Sequence, residues 1–342
     1  MSKIDQLDII FLSDYDDLRR EEMLSQIDLL TFESQTIVTT AHNPSLLGIL
    51  HNVYEYQSDI AIVYKAGKLI GYLPFCITSG LKAKLVSLPH FSYGGFVGVC
   101  KLNDSENNHL FAEVEKKYQM NILIRDFRKL TTHTNTEKVS YFLKLVSSSE
   151  TQFSGFSSKL RSQIRKAKKN NLVVEHSTVE EFYEIYLENM HRLGSPHLCK
   201  SFFEELIENY INGSAEIFTV KHQGKSIGSG ILLTYKDFSE ITWAATYSEY
   251  NHLATNMILY WKMIEYSIEL NMKIFSFGRA SKNSGSENFK KQWGGERVQL
   301  FWNTNNESRL SIEKFRFLST IWSFLPRFLI EYFGPIFTKF VY

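Results

Sequence analysis

Two cations in the second half of the chain have neighbours that suit work on an anion or a carbonyl. Arg279 ends a short extended run, Phe277-Gly278-Arg279. A polar loop follows (Ser281, Asn283, Ser284, Gly285, Ser286), then Asn288, Phe289, Lys290 and Trp293. Glycine beside the arginine lets backbone or ligand come close, and a guanidinium offers a fixed fork to phosphate or carboxylate. The same residues also fit a surface loop with Trp293 packed in a core. Upstream, six cations fall within one short segment: Lys159, Arg161, Arg165, Lys166, Lys168 and Lys169. On a helix, Leu160, Ile164 and Ala167 form an apolar stripe, with Arg161, Arg165 and Lys168 on the neighbouring face. Such a comb suits a diphosphate-linked sugar, a lipid phosphate or a tRNA acceptor stem. It equally describes a solvated helix face. Arg192-Leu193-Gly194-Ser195-Pro196-His197 reads as a helix stop with Gly194 at C′. Alternatively His191 and Ser195 line a cleft, where an imidazole titrating near neutrality can act as a base.

Other chemistries fail on spacing. The ten histidines form no HExxH and have no clustered cysteine partner, so no metal site is expected. No GxSxG, P-loop or GxGxxG occurs. Cys76, Cys100 and Cys199 lie far apart, which argues against a disulfide framework or zinc ribbon and suits the cytoplasm. Lys and Arg total 38 against 37 Asp and Glu, so no global basic field advertises nucleic acid. With 44% apolar residues, disorder is excluded as the main character. The N-terminus lacks the basic and apolar regions of a secretory signal, and no apolar run is long enough for a simple transmembrane helix.

At 342 residues the chain exceeds one ordinary core, and an internal repeat shows how it divides. Gly67-Lys68-Leu69-Ile70-Gly71 recurs as Gly224-Lys225-Ser226-Ile227-Gly228, close to half the chain further on. Each pentad sits between apolar, β-branched runs, the signature of a Gly-centred hairpin. Helical segments precede both: Asp14 to Leu30 in the first half, Val179 to Met190 and Ser201 to Tyr210 in the second. After the second hairpin come a strand (Glu240 to Tyr247), a helix (Asn256 to Leu270) with Asn251 and Thr255 as candidate caps, and a strand (Lys273 to Phe277). The order specifies two copies of an α+β layer. Periodicity alone accommodates any mixed α/β domain.

Several strings narrow this. Gly67-Lys68-Leu69-Ile70-Gly71-Tyr72-Leu73-Pro74-Phe75 is followed by Leu85-Val86-Ser87-Leu88-Pro89 and Tyr93-Gly94-Gly95. Lys159 to Lys169 stands at the midpoint. Arg192 to Pro196, Phe277-Gly278-Arg279-Ala280 and Phe289-Lys290-Lys291-Gln292-Trp293-Gly294 then follow. In this order, from about His42 onward, they resemble the FemAB-related family of tandem GNAT-like proteins, in particular its exopolysaccharide and PEP-CTERM-associated members. The resemblance implies an α+β fold of two tandem GNAT-like (acyl-CoA N-acyltransferase-like) domains with a C-terminal helical tail. It also implies transfer of an aminoacyl or acyl group to an amine. On that footing residues 1–150 are the first domain, 151–172 a basic connecting helix, 173–305 the second and active domain, and 306–342 an aromatic tail.

The resemblance makes Arg279 and Lys290 the leading site residues, with Lys290 stabilising the oxyanion of an attacked carbonyl. His191 joins them as a candidate base. Arg161, Arg165, Lys166, Ser195, Asn256, Trp293 and Tyr93 are the candidate substrate-binding residues, Tyr93 by resemblance alone. The usual acyl-CoA pyrophosphate loop is missing: its place reads Tyr250-Asn251-His252-Leu253-Ala254-Thr255-Asn256, without glycines. That departure argues against acetyl-CoA, and the donor stays open between aminoacyl-tRNA and acyl-CoA, with no tightly bound cofactor. The expected acceptor is a glycan or lipid-linked glycan precursor of the cell envelope. The alternatives are acyl-CoA-dependent N-acylation of an amino sugar and a non-catalytic polysaccharide export or assembly factor. From Phe315 to Tyr342 the chain is rich in Phe, Tyr and Trp, with cations at Arg316, Arg327 and Lys339. Pro326 and Gly334-Pro335 are expected to divide it into short helices. Aromatic helices flanked by cations suit a membrane interface, so peripheral attachment to the cytoplasmic face of the plasma membrane is expected, with packing across both domains as the alternative.

Overall fold

The computed structural model describes residues 7–79, 83–305, 322 and 324–339. The first copy runs β1 (Leu7–Phe11), α1 (Asp17–Glu33), α2 (Ser45–Tyr54), β2 (Gln57–Lys65), β3 (Lys68–Ile77), β4 (Lys84–Val86), β5 (Val97–Gly98), α3 (Asp104–Tyr118), β6 (Asn121–Asp126) and β7 (Thr134–Asn135). Then come β8 (Lys138–Lys144), α4 (Ser149–Gly155), α5 (Ser158–Lys169), β9 (Val173–His176), α6 (Val179–Arg192), α7 (Lys200–Asn209), β10 (Gly213–His222), β11 (Lys225–Tyr235) and β12 (Phe238–Thr246). The remaining elements are α8 (Thr255–Glu269), β13 (Ile274–Ser276), β14 (Ala280–Ser281), α9 (Gly285–Lys291), β15 (Glu296–Gln299), β16 (Phe301–Thr304) and α10 (Arg327–Thr338).

The two pentads are the same turn. Ala66 and Gly67 have φ of 50° and 73°, Gln223 and Gly224 of 51° and 79°, so each closes a two-residue hairpin of the primed kind. Each hairpin then slips register at one place, between Val63 and Tyr64 and between Val220 and Lys221, leaving Ile70 and Ile227 as matching bulged residues. The strand orders match as well: β1-β2-β3-β4-β6 and β9-β10-β11-β12-β13. Both are antiparallel except for the last pair, which is parallel in each. The fold is α+β, with two copies of one layered domain.

The chain forms two compact units whose boundary falls after Val139, and Gln299 to the end of β16 joins the first. This differs from a cut at 150, for a reason in the ladders. β8 pairs with β13 in the second sheet, and β16 pairs with β6 in the first. Each sheet thus takes its next strand from the far side of the sequence, which local pattern does not encode. Residues 151–172 are not one connecting helix either. They include the end of α4 and all of α5, separated at Phe156 and Ser157, and both helices belong to the second unit. Ser157 caps α5 by accepting from Leu160 N at 3.3 Å, which starts a new helix there.

In the first unit Ile60 and Ile62 meet Met23, Ile27 and Leu30 of α1, while Ala61 and Val63 meet Leu110, Phe111 and Val114 of α3. Strand alternation therefore buries both faces of β2. In the second unit Gly228 and Gly230 of β11 lie against Thr255 and Met263 of α8. The other face carries Trp243, edge-on to Phe202 and Phe203 of α7. Helices on both sides explain why β11 is buried from Ile227 to Tyr235. α8 starts differently from expectation. Ala254, in the left-handed region at φ 67°, holds the N-cap position, while Thr255 Oγ1 donates back to Tyr250 O at 3.0 Å.

Candidate active site

The site arises where two parallel strands part. β12 and β13 match through Phe238↔Ile274, Ser239↔Phe275 and Glu240↔Ser276. β13 then ends, while β12 continues to Thr246. On its other edge β12 carries a bulge: Ile231 faces Trp243 but Leu232 faces Ile241, so Thr242 is the extra residue. A bulge bends its strand, and this one lies just beyond the last β12–β13 pair.

At that point the chain after β13 passes Phe277-Gly278-Arg279 across β12. A Cβ on Gly278 would stand 3.0 Å from Ile241 O, 3.5 Å from Glu240 Oε1 and 3.7 Å from Lys290 Nζ. Gly278 has φ 66°, a conformation that favours glycine, and the carboxylate and the amine lie close around it. Lys290 Nζ donates to Arg279 O at 2.7 Å. Ser140 Oγ donates to Gly278 O at 3.1 Å, and Gly278 N donates to Ser276 Oγ at 3.1 Å, which fixes the turn. The helix bearing the lysine is fixed too. Ser284 caps α9 by accepting from Glu287 N, and Glu287 accepts from Asn283 N, Tyr141 OH and Arg297 Nε.

Glu240 is 1% exposed and Lys290 7%. Burial pushes the Lys290 ammonium down from 10.5 to about 7, with Glu240 opposing the shift and Arg279 adding to it. Burial also lowers the Arg279 guanidinium, again against Glu240. Two cations and one acid thus lie together, with Glu240 and Lys290 buried deeply enough for each charge to matter, and a proton on Lys290 is exchangeable at neutral pH. Glu240 had no place in the sequence reading beyond starting a strand. Its signal was a charge inside the apolar stretch from Phe238 to Ala245.

The other candidates are placed as follows. Asn256, in the first turn of α8, donates from Nδ2 to Thr246 Oγ1 at 3.3 Å, at the free end of β12. His191 and Ser195 flank the end of α6, where Gly194 N donates to His191 O and Ser195 N to Met190 O, with Gly194 at φ 60°. His191 Nε2 is buried without a protein partner among the described residues. Arg161 is half-buried, and Arg165 and Lys166 are exposed on α5, with Arg165 over the Phe153 ring. Leu160, Ile164 and Ala167 are the buried stripe. No described hydrogen bond or ion pair links His191, Ser195 or the α5 cations to Lys290. Two positions differ from a cleft role. Trp293 is fully buried, ringed by Phe156, Tyr260, Phe277 and Phe289, so it supports the floor behind Lys290 and offers no face to substrate. Tyr93 is 1% exposed in the first unit, packed on Phe127, and is core for the same reason.

The matching place in the first unit is filled. β4 ends at Val86, where the second copy has Glu240. Gly94 bridges to Arg125, and Phe91, Tyr93 and Phe96 are buried in the loop between. Among the described residues no cluster of His, Cys, Asp and Glu could hold a metal ion.

Residues 154–291, which span this parting of strands and its cations, match the acetyltransferase (GNAT) domain family. The two repeated units have a GNAT-like fold. The fold extends to solved structures. The FemX crystal structure is 14% identical with a TM-score of 0.56, covering 79% of this chain and 96% of its own. A tandem GNAT protein from the clavulanic acid biosynthesis pathway is 13% identical with a TM-score of 0.55, covering 89% and 100%. The C-terminal domain of a putative lysylphosphatidylglycerol synthetase from Agrobacterium fabrum is 9% identical with a TM-score of 0.52, covering 81% and 91%. No curated protein matches the sequence.

Proposed function

We propose that the second unit transfers an aminoacyl or acyl group from an activated ester to an amine of a cell-envelope glycan or peptidoglycan-type precursor. The observation that carries this reading is the buried Lys290–Arg279–Glu240 cluster where β12 and β13 part. The amine nitrogen attacks the carbonyl, a C–N bond forms, and the Lys290 ammonium faces the oxyanion that develops. Glu240 keeps that lysine charged. Arg279 orients a carboxylate or phosphate of the substrate. The intermediate collapses by breaking the ester bond; the amine's proton passes to a base, for which His191 is the candidate, and on to the leaving group. Positioning and a polarised carbonyl suffice, which suits a chain without a GxSxG nucleophile motif. The first unit, whose matching place is filled, is assigned a supporting or acceptor-binding part in place of catalysis.

An aminoacyl donor is favoured by the glycine-free Tyr250–Asn256 segment and by similarity to FemX and to a synthetase named for an aminoacylated lipid. The match to an acetyltransferase domain favours a second reading, acyl-CoA-dependent N-acylation of an amino sugar. Intact-mass measurement of envelope precursors from a deletion strain tests both: a missing aminoacyl or acyl mass names the donor, whereas unchanged precursors favour a binding-only assembly factor.

The exposed cations of α5 are assigned to the anionic part of a substrate. Arg165→Ala with Lys166→Ala is expected to weaken binding of a diphosphate-linked sugar precursor and to flatten its salt dependence. Calorimetry across salt concentrations reads this, and an unaltered affinity and slope would return α5 to a solvated face.

A further inference from the structure

We infer that His197 is a positioning residue, through which α10 sets the α6–α7 connection beside the β12 bulge. The inference rests on the transfer reading above, because that connection follows His191 and carries Ser195. His197 is fully buried, and its ring holds three elements at once. Nε2 lies 3.1 Å from Ile330 O of α10. Nδ1 lies 3.1 Å from Tyr183 OH of α6 and 3.0 Å from Leu198 O, just ahead of α7. Thr338 Oγ1 donates to His197 O at 3.3 Å, so α10 holds the backbone as well as the ring. Gly334 closes the contact: a Cβ there would stand 2.4 Å from His197 Nε2. Ile330, Gly334 and Thr338, one turn apart, form the buried face of the helix. These contacts carry α10 straight through Gly334-Pro335, where the sequence suggested a break.

The grip reaches the site through contiguous packing. Two tyrosines of α6 hold Leu198 from both sides: Tyr183 OH donates to its carbonyl at 3.3 Å, and its N–H donates to Tyr186 OH at 3.1 Å. Tyr186 stands edge-on to Phe203 of α7, with ring centres 5.1 Å apart. Phe203 and Phe202 in turn stand edge-on to Trp243, at 5.4 and 5.5 Å. Trp243 is next to Thr242, the extra residue of the bulge where β12 leaves β13. Close-packed rings have no slack, so a shift at Leu198 is passed along this row. The other end of the connection is tied locally, with Gly194 N and Ser195 N bound by the last turn of α6. Its far end depends on a carbonyl 133 residues further along the chain. An apolar side chain could fill the same space. A buried imidazole with partners at both nitrogens also fixes orientation, and leaving a partner unmet is costly. The ion pair from Arg327 to Glu184 is exposed and adds little, which leaves His197 as the fastening.

The test uses the full chain and two readouts, amide hydrogen exchange and turnover on the substrate identified from the deletion strain. Thr338→Val removes one donor and Gly334→Ala crowds the ring, and neither changes the α6–α7 connection itself. Both should speed exchange across residues 193–199 by about 5- to 10-fold, the effect of one lost hydrogen bond, with β10 and β11 unchanged. Both should lower kcat about 10-fold or more at nearly constant KM, as misplacement does. His197→Gln keeps a donor for Ile330 O and should retain more turnover than His197→Ala at equal folded fraction. Faster exchange confined to α10, with 193–199 unaltered, would overturn the clamp. That arm needs no substrate, so its failure is separate from a failure of the transfer reading. Faster exchange across 193–199 at wild-type kcat, or equal turnover in the two His197 variants, would reduce the contact to packing.

Discussion

Lys290→Met is expected to lower kcat by about 10²- to 10³-fold, the cost of removing one oxyanion donor from a dry site, while KM moves little. The reason is positional. Nζ is held by the Arg279 carbonyl at 2.7 Å, and α9, which carries it, is fastened by Ser284 and Glu287. Methionine keeps the length and the packing against Glu240 and Gly278 but offers no proton and no charge. Arg279 remains beside Glu240, so the carboxylate keeps a cationic neighbour and the fold should hold. Turnover on the substrate identified from the deletion strain, measured alongside the melting temperature, separates the outcomes. A large loss of stability at unaltered specific activity would make Lys290 a structural residue.

The second large effect runs the opposite way. The same Lys290→Met change should stabilise the protein by about 1–4 kcal/mol at pH 7, because a neutral side chain of similar length replaces a buried cation while Glu240 stays as the charged neighbour of Arg279. For a unit of this size that is several degrees in melting temperature. The sign follows from Lys290. Its folded value, about 7, is depressed below the ordinary 10.5, so between these values the unfolded chain holds a proton that the folded chain has lost. Wild-type stability therefore carries the full penalty below pH 7 and gains as pH rises through that window. The variant's advantage should be largest at and below neutrality and shrink towards pH 10. Thermal unfolding across that range reads it, and a variant that melts lower than wild type at pH 7 would show that the lysine is structural.

The repeat was legible because turn chemistry is local. Ala66-Gly67 and Gln223-Gly224 need positive φ, and the Gly-Lys-x-Ile-Gly spacing encodes both the turn and the bulge behind it. Arg279 and Lys290 were legible as cations beside Gly278, and the structure brings them together. What escaped was non-local. Nothing in Lys138–Lys144 or Phe301–Thr304 states that each completes the sheet of the other half; register with β13 and β6 does. Glu240 resembles any strand carboxylate until its pairing with Ser276 places it under Gly278. Trp293 suits both a core and a binding residue in sequence, and only its ring of aromatic neighbours decides. Gly334-Pro335 looked like a helix break because the His197 contacts that hold α10 through it lie far away in sequence.

The proposed mechanism has Glu240 hold Lys290 charged where the carbonyl is attacked. Its most direct measurement is the pH dependence of kcat/KM for wild type and Glu240→Gln. In the wild type a descending limb with a midpoint near 7 is expected, since the reacting form requires the Lys290 proton. Removing the carboxylate that opposes the burial shift should move that limb to lower pH and leave the acidic limb in place. An identical descending limb in both proteins, or none in the wild type, would contradict the mechanism.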